Sequence, residues 1–163
     1  MKIRKASDAD KETISRLHVA SIRGLCANHY TREQLHAWTG VLIPSVYDQA
    51  LQEKVFFVAC DSQDELLGIG ILDVENKEVS AVYIRPNAAG KGIGSELLNE
   101  LEKTARNKNI ATITVYSTLN AKGFYAAHGY AKQDLTFHTL PNGSQLECIR
   151  MVKDLLQDVK QRH

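Results

Sequence analysis

A chain of 163 residues with 44% hydrophobic and 24% charged side chains suits one domain with an ordinary buried core, and its composition excludes a disordered chain. Its 20 Lys and Arg balance 19 Asp and Glu to a formal charge of +1, which argues against a polybasic nucleic-acid or membrane surface. No apolar run approaches a bilayer span, and the start, MKIRKASDADK, lacks the apolar segment of a secretory signal. Cys26, Cys60 and Cys148 are odd in number and form no CxxC pair, so neither a disulfide framework nor a metal site is expected. These features predict a reduced, cytoplasmic protein of one domain over 1–163, its core at about 2–153 and a short C-terminal tail.

Lys2-Ile3-Arg4 alternates like a short strand. Ser7 and Asp10 then stand three apart, as in a capping box, and Ile14, Leu17, Ser21, Ile22 and Leu25 follow at helical spacing, predicting a helix over 8–24. Thr31 with Glu33 and Gln34 starts a second helix that Gly40 closes, and residues 45–53 suit one more short helix. From Val55 the period changes. Val55–Cys60, Leu66–Val74 and Val79–Ile84 read as strands joined by polar turns, the second weakened by Gly68 and Gly70. The clearest helix follows, with Ile93, Leu97, Leu98, Leu101 and Ala105 in one stripe. Ala111–Tyr116 reads as a strand, residues 120–128 as a short helix and Tyr130–Leu140 as a strand. Asn142-Gly143 turns the chain into a last strand, Gln145–Val152. The pattern predicts one α/β domain.

The informative segment is Pro86-Asn87-Ala88-Ala89-Gly90-Lys91-Gly92-Ile93-Gly94-Ser95, placed between a strand and an amphipathic helix. Alternate glycines let backbone N–H groups converge, and the helix start adds unpaired donors and the positive end of its dipole. That is a site for phosphate or pyrophosphate. The alternative is a glycine-rich turn that only lets the helix pack closely. Two common phosphate motifs fail on spacing. Ser95 and Leu97 stand where GxGxxG needs its third glycine, and Gly92 stands where a Walker loop needs Ser or Thr.

This loop resembles the Arg/Gln-x-x-Gly-x-Gly/Ala signature of the GCN5-related N-acetyltransferase (GNAT) family. A second family signature is matched by Asn120-Ala121-Lys122-Gly123-Phe124-Tyr125-Ala126-Ala127-His128-Gly129-Tyr130. The order of elements is similar from Lys2 to about Lys153. One position departs: Ala89 stands where the family has Arg or Gln, keeping the backbone donor and losing the side chain; Lys91 either supplies part of the missing charge or is a solvated loop lysine.

The resemblance implies a mixed, mainly antiparallel sheet of six to seven strands flanked by helices, and transfer of the acetyl group of acetyl-CoA to a primary amine of a small molecule or peptide. It assigns the coenzyme to the loop Ala89, Gly90, Lys91, Gly92, Ile93, Gly94 and Ser95. The pantetheine arm would lie along the strand Val79–Ile84, which splays from the next strand at a bulge, with Val82, Tyr83 and Ile84 binding it and a backbone N–H near Val82 on the acetyl carbonyl. Asn120, Phe124 and Tyr125 complete that site, Asn120 also suiting a helix N-cap. Tyr125 matches the family's general acid to the coenzyme thiolate, its other reading being core packing beside Phe124. Glu78 lies near the family's glutamate base; a water chain is the rival, with His128, His138 and Tyr83 behind it. The acceptor side falls to His29, Tyr30, Trp38, Phe137 and His138, although Trp38 is also spaced from Leu35 as a core residue. No acidic cluster in Gly24–Pro44 advertises a polyamine. No metal, nucleic-acid or membrane partner is implied, and a monomer or homodimer is expected. The alternative from another class is a non-catalytic acetyl-CoA sensor.

Overall fold

In the computed structural model, which describes residues 1–156, the first strand, β1 (Lys2–Lys5), leads through a 3-10 turn, Asp8–Asp10, into α1 (Lys11–Leu25). The helix expected over 8–24 is thus split at its start, and Asp10 is the cause. Its carboxylate accepts the Ser7 backbone N–H at 2.8 Å and pairs with Arg4 at 2.9 Å, which fastens the helix entrance to β1. In α2 (Arg32–Gly40) the Thr31 hydroxyl accepts the Gln34 N–H at 3.1 Å, and the Gln34 amide oxygen accepts the Thr31 N–H at 2.8 Å. The single helix expected over 45–53 is a 3-10 turn, Pro44–Tyr47, followed by α3 (Asp48–Glu53).

The period-two segments then form β2 (Val55–Cys60), β3 (Leu66–Asp73) and β4 (Glu78–Ile84). After the glycine loop come α4 (Ile93–Asn107), β5 (Thr112–Thr118), α5 (Lys122–Ala127), β6 (Ala131–Thr139) and β7 (Gln145–Asp154). The predicted helix over 120–128 is shortened because Leu119–Ala121 forms a 3-10 turn. The seven strands lie in the order β1-β2-β3-β4-β5-β7-β6, and every neighbouring pair is antiparallel except β4–β5. That parallel pair follows from the crossover through α4. β7 runs to Asp154, and the rest of the expected tail, 157–163, lies outside the described residues.

α1 buries Ile14, Leu17, His18, Ser21 and Ile22 on one face of the sheet. α4 buries Leu97, Leu98, Leu101 and Ala105, each 0% exposed, on the other. Each such leucine contributes about 1.5–3 kcal/mol. Gly68 and Gly70 do not simply weaken β3. A Cβ on Gly70 would stand 3.3 Å from Leu101 Cδ1 and one on Gly68 3.0 Å from Leu97 Cδ1, so the bare backbone lets α4 seat closely. α4 also buries Glu102, whose carboxylate accepts from Lys153 Nζ at 3.0 Å and from the Tyr130 hydroxyl at 2.7 Å. The three groups tie α4 to β7 with their charges paired, as burial requires.

One irregularity shapes everything that follows. Leu72 faces Val79 and Ile71 faces Ala81, which leaves Ser80 as an extra residue in β4. Such a bulge bends its strand. β4 and β5 pair only at Glu78–Thr114 and Val79–Val115 and then diverge. The sheet is therefore split along its length. Among the described residues no helix is long and apolar enough to cross a membrane, and Cys26, Cys60 and Cys148 are buried free thiols.

Candidate active site

Beyond the bulge, β4 is bonded on one side only. Arg85 donates its backbone N–H to Leu67 O at 2.8 Å, and backbone groups alternate sides along an antiparallel strand. Tyr83 therefore faces β3, while the N–H and C=O of Val82 and Ile84 face the split. An open edge of this kind accepts an extended ligand as an added strand would.

At the end of that edge the chain turns through Pro86–Ala88 into α4. Gly90 and Gly92 have φ of 78° and 84°, a left-handed conformation that side chains disfavour. Glu96 is the first residue whose N–H bonds back into the helix, to Gly92 O at 3.1 Å. The N–H groups of Ile93, Gly94 and Ser95 are thus left at the positive end of the dipole. Ala89 differs from expectation. Its N–H already bonds Pro86 O at 3.3 Å, so the donor assigned to the ligand is engaged in the turn.

Beside the edge lies a cleft of about 320 Å³ lined by Cys26, Val82, Ile84, Gly94, Asn120 and Phe124, among others. Phe124 closes its floor: a Cβ on Gly94 would stand 3.2 Å from the ring. Asn120 does not cap a helix. It sits in the 3-10 turn before α5, and its amide oxygen is buried with no partner among the described residues. A buried acceptor left open costs about 1–3 kcal/mol, and in this cleft it fits a ligand N–H. These groups suit a diphosphate joined to an extended amide-bearing arm.

Tyr125 connects this cleft to the rest of the site. It lines the cleft and also a narrow gap of about 30 Å³ between the diverging β4 and β5. Its ring is 5% exposed and packs edge-on against Phe124 at 5.0 Å and Tyr130 at 5.5 Å. Burial holds its phenol well above the ordinary value, so it is protonated throughout the neutral range.

On the far side of the gap is a larger cavity of about 510 Å³. Of the residues expected on the acceptor side, Tyr30, Trp38, Phe137 and His138 line it and His29 does not. His29 is exposed on the turn after α1, where it caps Cys26 O with its N–H at 3.1 Å. Trp38 lines the cavity and is also packed as a core residue: it is 9% exposed and meets Tyr30 at 5.7 Å and Tyr83 at 6.4 Å. The Tyr30 hydroxyl is spent on structure, donating to Glu147 O at 2.6 Å and accepting from Leu119 N–H at 3.1 Å. Tyr83 borders both cavities and the gap between them. Among the base candidates, His128 is turned away, with Nδ1 2.8 Å from Phe124 O.

Glu78 opens into this larger cavity. Partial burial raises its carboxyl above the ordinary range; Asp73 adds to the rise and Lys54 opposes it. The cavity also holds residues that sequence reasoning missed: Tyr47 and His18, with the backbone of Glu147. His18 had left a signal, since it stands four residues from both Ile14 and Ile22 on the buried stripe of α1. The carboxylate of the cavity comes from β4 and not from the loop after α1.

Residues 26–155 match the acetyltransferase (GNAT) domain family. A spermidine N(1)-acetyltransferase of Thermoplasma acidophilum is 27% identical over 145 residues, 82% of this chain and 90% of the relative. Among solved structures, a GCN5-related N-acetyltransferase from Rhodopseudomonas palustris superposes with a TM-score of 0.87 at 26% identity, covering 94% of each chain. The PaiA N-acetyltransferase of Thermoplasma acidophilum, solved with coenzyme A, superposes at 0.76 and 26% identity, covering 94% of this chain and 98% of the other.

Proposed function

The chain belongs to the GNAT family of N-acetyltransferases, and on that premise we propose that it moves the acetyl group of acetyl-CoA directly to a primary amine of a small polyamine-type acceptor. The observation that carries the reading is the path through the split sheet. A cleft suited to the coenzyme and a cavity suited to a cation meet at the gap between β4 and β5, and Tyr125 stands at the meeting point.

The coenzyme supplies an acetyl thioester; the rest is the work of this chain. The N–H groups from Gly90 to Ser95 hold the pyrophosphate, and Asn120 Oδ1 accepts an N–H of the pantetheine arm. The Val82 N–H, free at the open edge, donates to the acetyl oxygen as negative charge develops there. Glu78, made more basic than a solvated glutamate, takes the proton that the acceptor nitrogen must lose, directly or through water. As the C–N bond forms and the C–S bond breaks, the Tyr125 hydroxyl gives its proton to the thiolate.

The acceptor class follows from charge. Glu78 is joined in the cavity by the aromatic walls Tyr30, Trp38 and Tyr83, and no lysine or arginine lines it among the described residues. A carboxylate and aromatic faces together favour a cation. The likeness to the spermidine N(1)-acetyltransferase supports the same choice. The test is thiol release from acetyl-CoA with spermidine, n-butylamine and an α-amino acid. Spermidine is expected to have the highest kcat/KM, and Glu78→Gln to lower it by about 10²–10⁴-fold. Preference for the amino acid would overturn the acceptor class; full activity in Glu78→Gln would give the base to water.

A further inference from the structure

His18 is the buried polar group in the acceptor cavity that the transfer chemistry leaves unused. It is 8% exposed, lies on α1 and lines the cavity. Its Nδ1 is 2.8 Å from the Tyr47 hydroxyl, and its ring leans on Tyr83 at 4.3 Å between centroids. These two contacts fix the ring in place and in rotation. Its Nε2 is buried and has no hydrogen-bond partner among the described residues.

We infer that His18 is the specificity-determining residue for the acceptor, its Nε2 accepting a hydrogen bond from a second amino group of a di- or polyamine, not from the nitrogen that is acetylated. The inference rests on the acceptor reading above. Place argues for the second nitrogen. His18 lines the large cavity but neither the gap nor the coenzyme cleft, whereas Tyr83, the ring it leans on, lines all three. His18 thus stands one ring behind the point of transfer.

Charge argues for the direction of the bond. An ammonium group carries donors only, so the nitrogen that meets it must accept. Burial pushes His18 down to about 3, which keeps the ring neutral with one lone pair at neutral pH. With the ring proton on Nδ1, Tyr47 accepts it and Nε2 is left open. Tyr47 lines the same cavity and has its own proton to direct there. Glu78 supplies the charge; His18 supplies direction. A monoamine would gain the carboxylate's attraction at one end and leave Nε2 unpaired.

The test compares spermidine with n-butylamine in wild type, His18→Phe and His18→Gln, reading thiol release, with melting temperature as a folding check. In His18→Phe the KM for spermidine is expected to rise about tenfold, the yield of one neutral-to-charged hydrogen bond. Its kcat, the KM for acetyl-CoA and the kcat/KM for n-butylamine should hold. His18→Gln, whose side-chain oxygen can stand near the place of Nε2, should recover most of the spermidine affinity. Equal losses on both amines, or no rescue by Gln, would overturn the inference alone. A wild-type chain acetylating neither amine would overturn the polyamine reading and this inference with it.

Discussion

At the scale of single residues, Tyr125 presents two demands on one side chain. Its ring is core, wedged between Phe124 and Tyr130, and the same residue lines both the candidate coenzyme cleft and the gap. Tyr125→Phe separates the demands by removing one hydroxyl and little volume. Turnover should fall by about 10²–10⁴-fold, as for loss of a positioned acid. Coenzyme affinity should hold, because the lost interaction matures only as the thiolate leaves. The melting temperature should hold too, since the ring keeps its packing. Normal turnover with a lowered melting temperature would return Tyr125 to the core alone.

Among secondary-structure elements, the glycine loop and α4 act as one device. The stripe of α4 was legible because Leu97, Leu98 and Leu101 repeat at helical spacing, and the loop because its glycines sit between a strand and that helix. Two details were not legible. The resemblance implies a bulge in this strand but not its place at Ser80, which depends on how β4 pairs with β3, a register relation that no single segment encodes. The engaged N–H of Ala89 depends on a 3-10 turn that Pro86 begins. Glu102 was hidden for a related reason: its partner Lys153 lies in a distant strand. The loop itself yields a prediction. A Cβ at Gly92 would meet no protein atom within 4 Å, yet φ there is 84°. Gly92→Ala therefore carries backbone strain with little bulk, and Gly92→Val adds bulk directed at the ligand. Both should lose about 1–3 kcal/mol of stability. Calorimetric titration with coenzyme A should show Gly92→Val weakened far more than Gly92→Ala. Equal affinities in the two would mean that the pyrophosphate does not lie over this loop.

For the molecule as a whole, the split between β4 and β5 is both the candidate site and the weak seam. The candidate acceptor cavity draws on α1, α2, β4 and β7, elements far apart in the chain, so its lining was only partly readable from any stretch of sequence. The candidate coenzyme side was readable because two contiguous motifs build it. The seam is held by two residue pairs at one end, and the halves it joins are otherwise well packed. A ligand that hydrogen-bonds the β4 edge, the α4 N-terminus and Asn120 Oδ1 spans that seam and binds only the folded chain. At a hundred times its dissociation constant it should stabilise the fold by about 2.7 kcal/mol. For a domain of this size each kcal/mol moves the melting temperature by roughly 2–4 °C, so acetyl-CoA should raise it by about 5–11 °C. NADH at the same concentration should leave it nearly unchanged, because the loop lacks the third glycine of a dinucleotide site. Desulfo-coenzyme A should retain most of the shift, since the sulfur contributes nothing to the pyrophosphate cradle or the strand edge. An unchanged melting temperature with saturating acetyl-CoA, or a larger shift with NADH, would refute the assignment of the cleft, the loop and the open edge to one ligand.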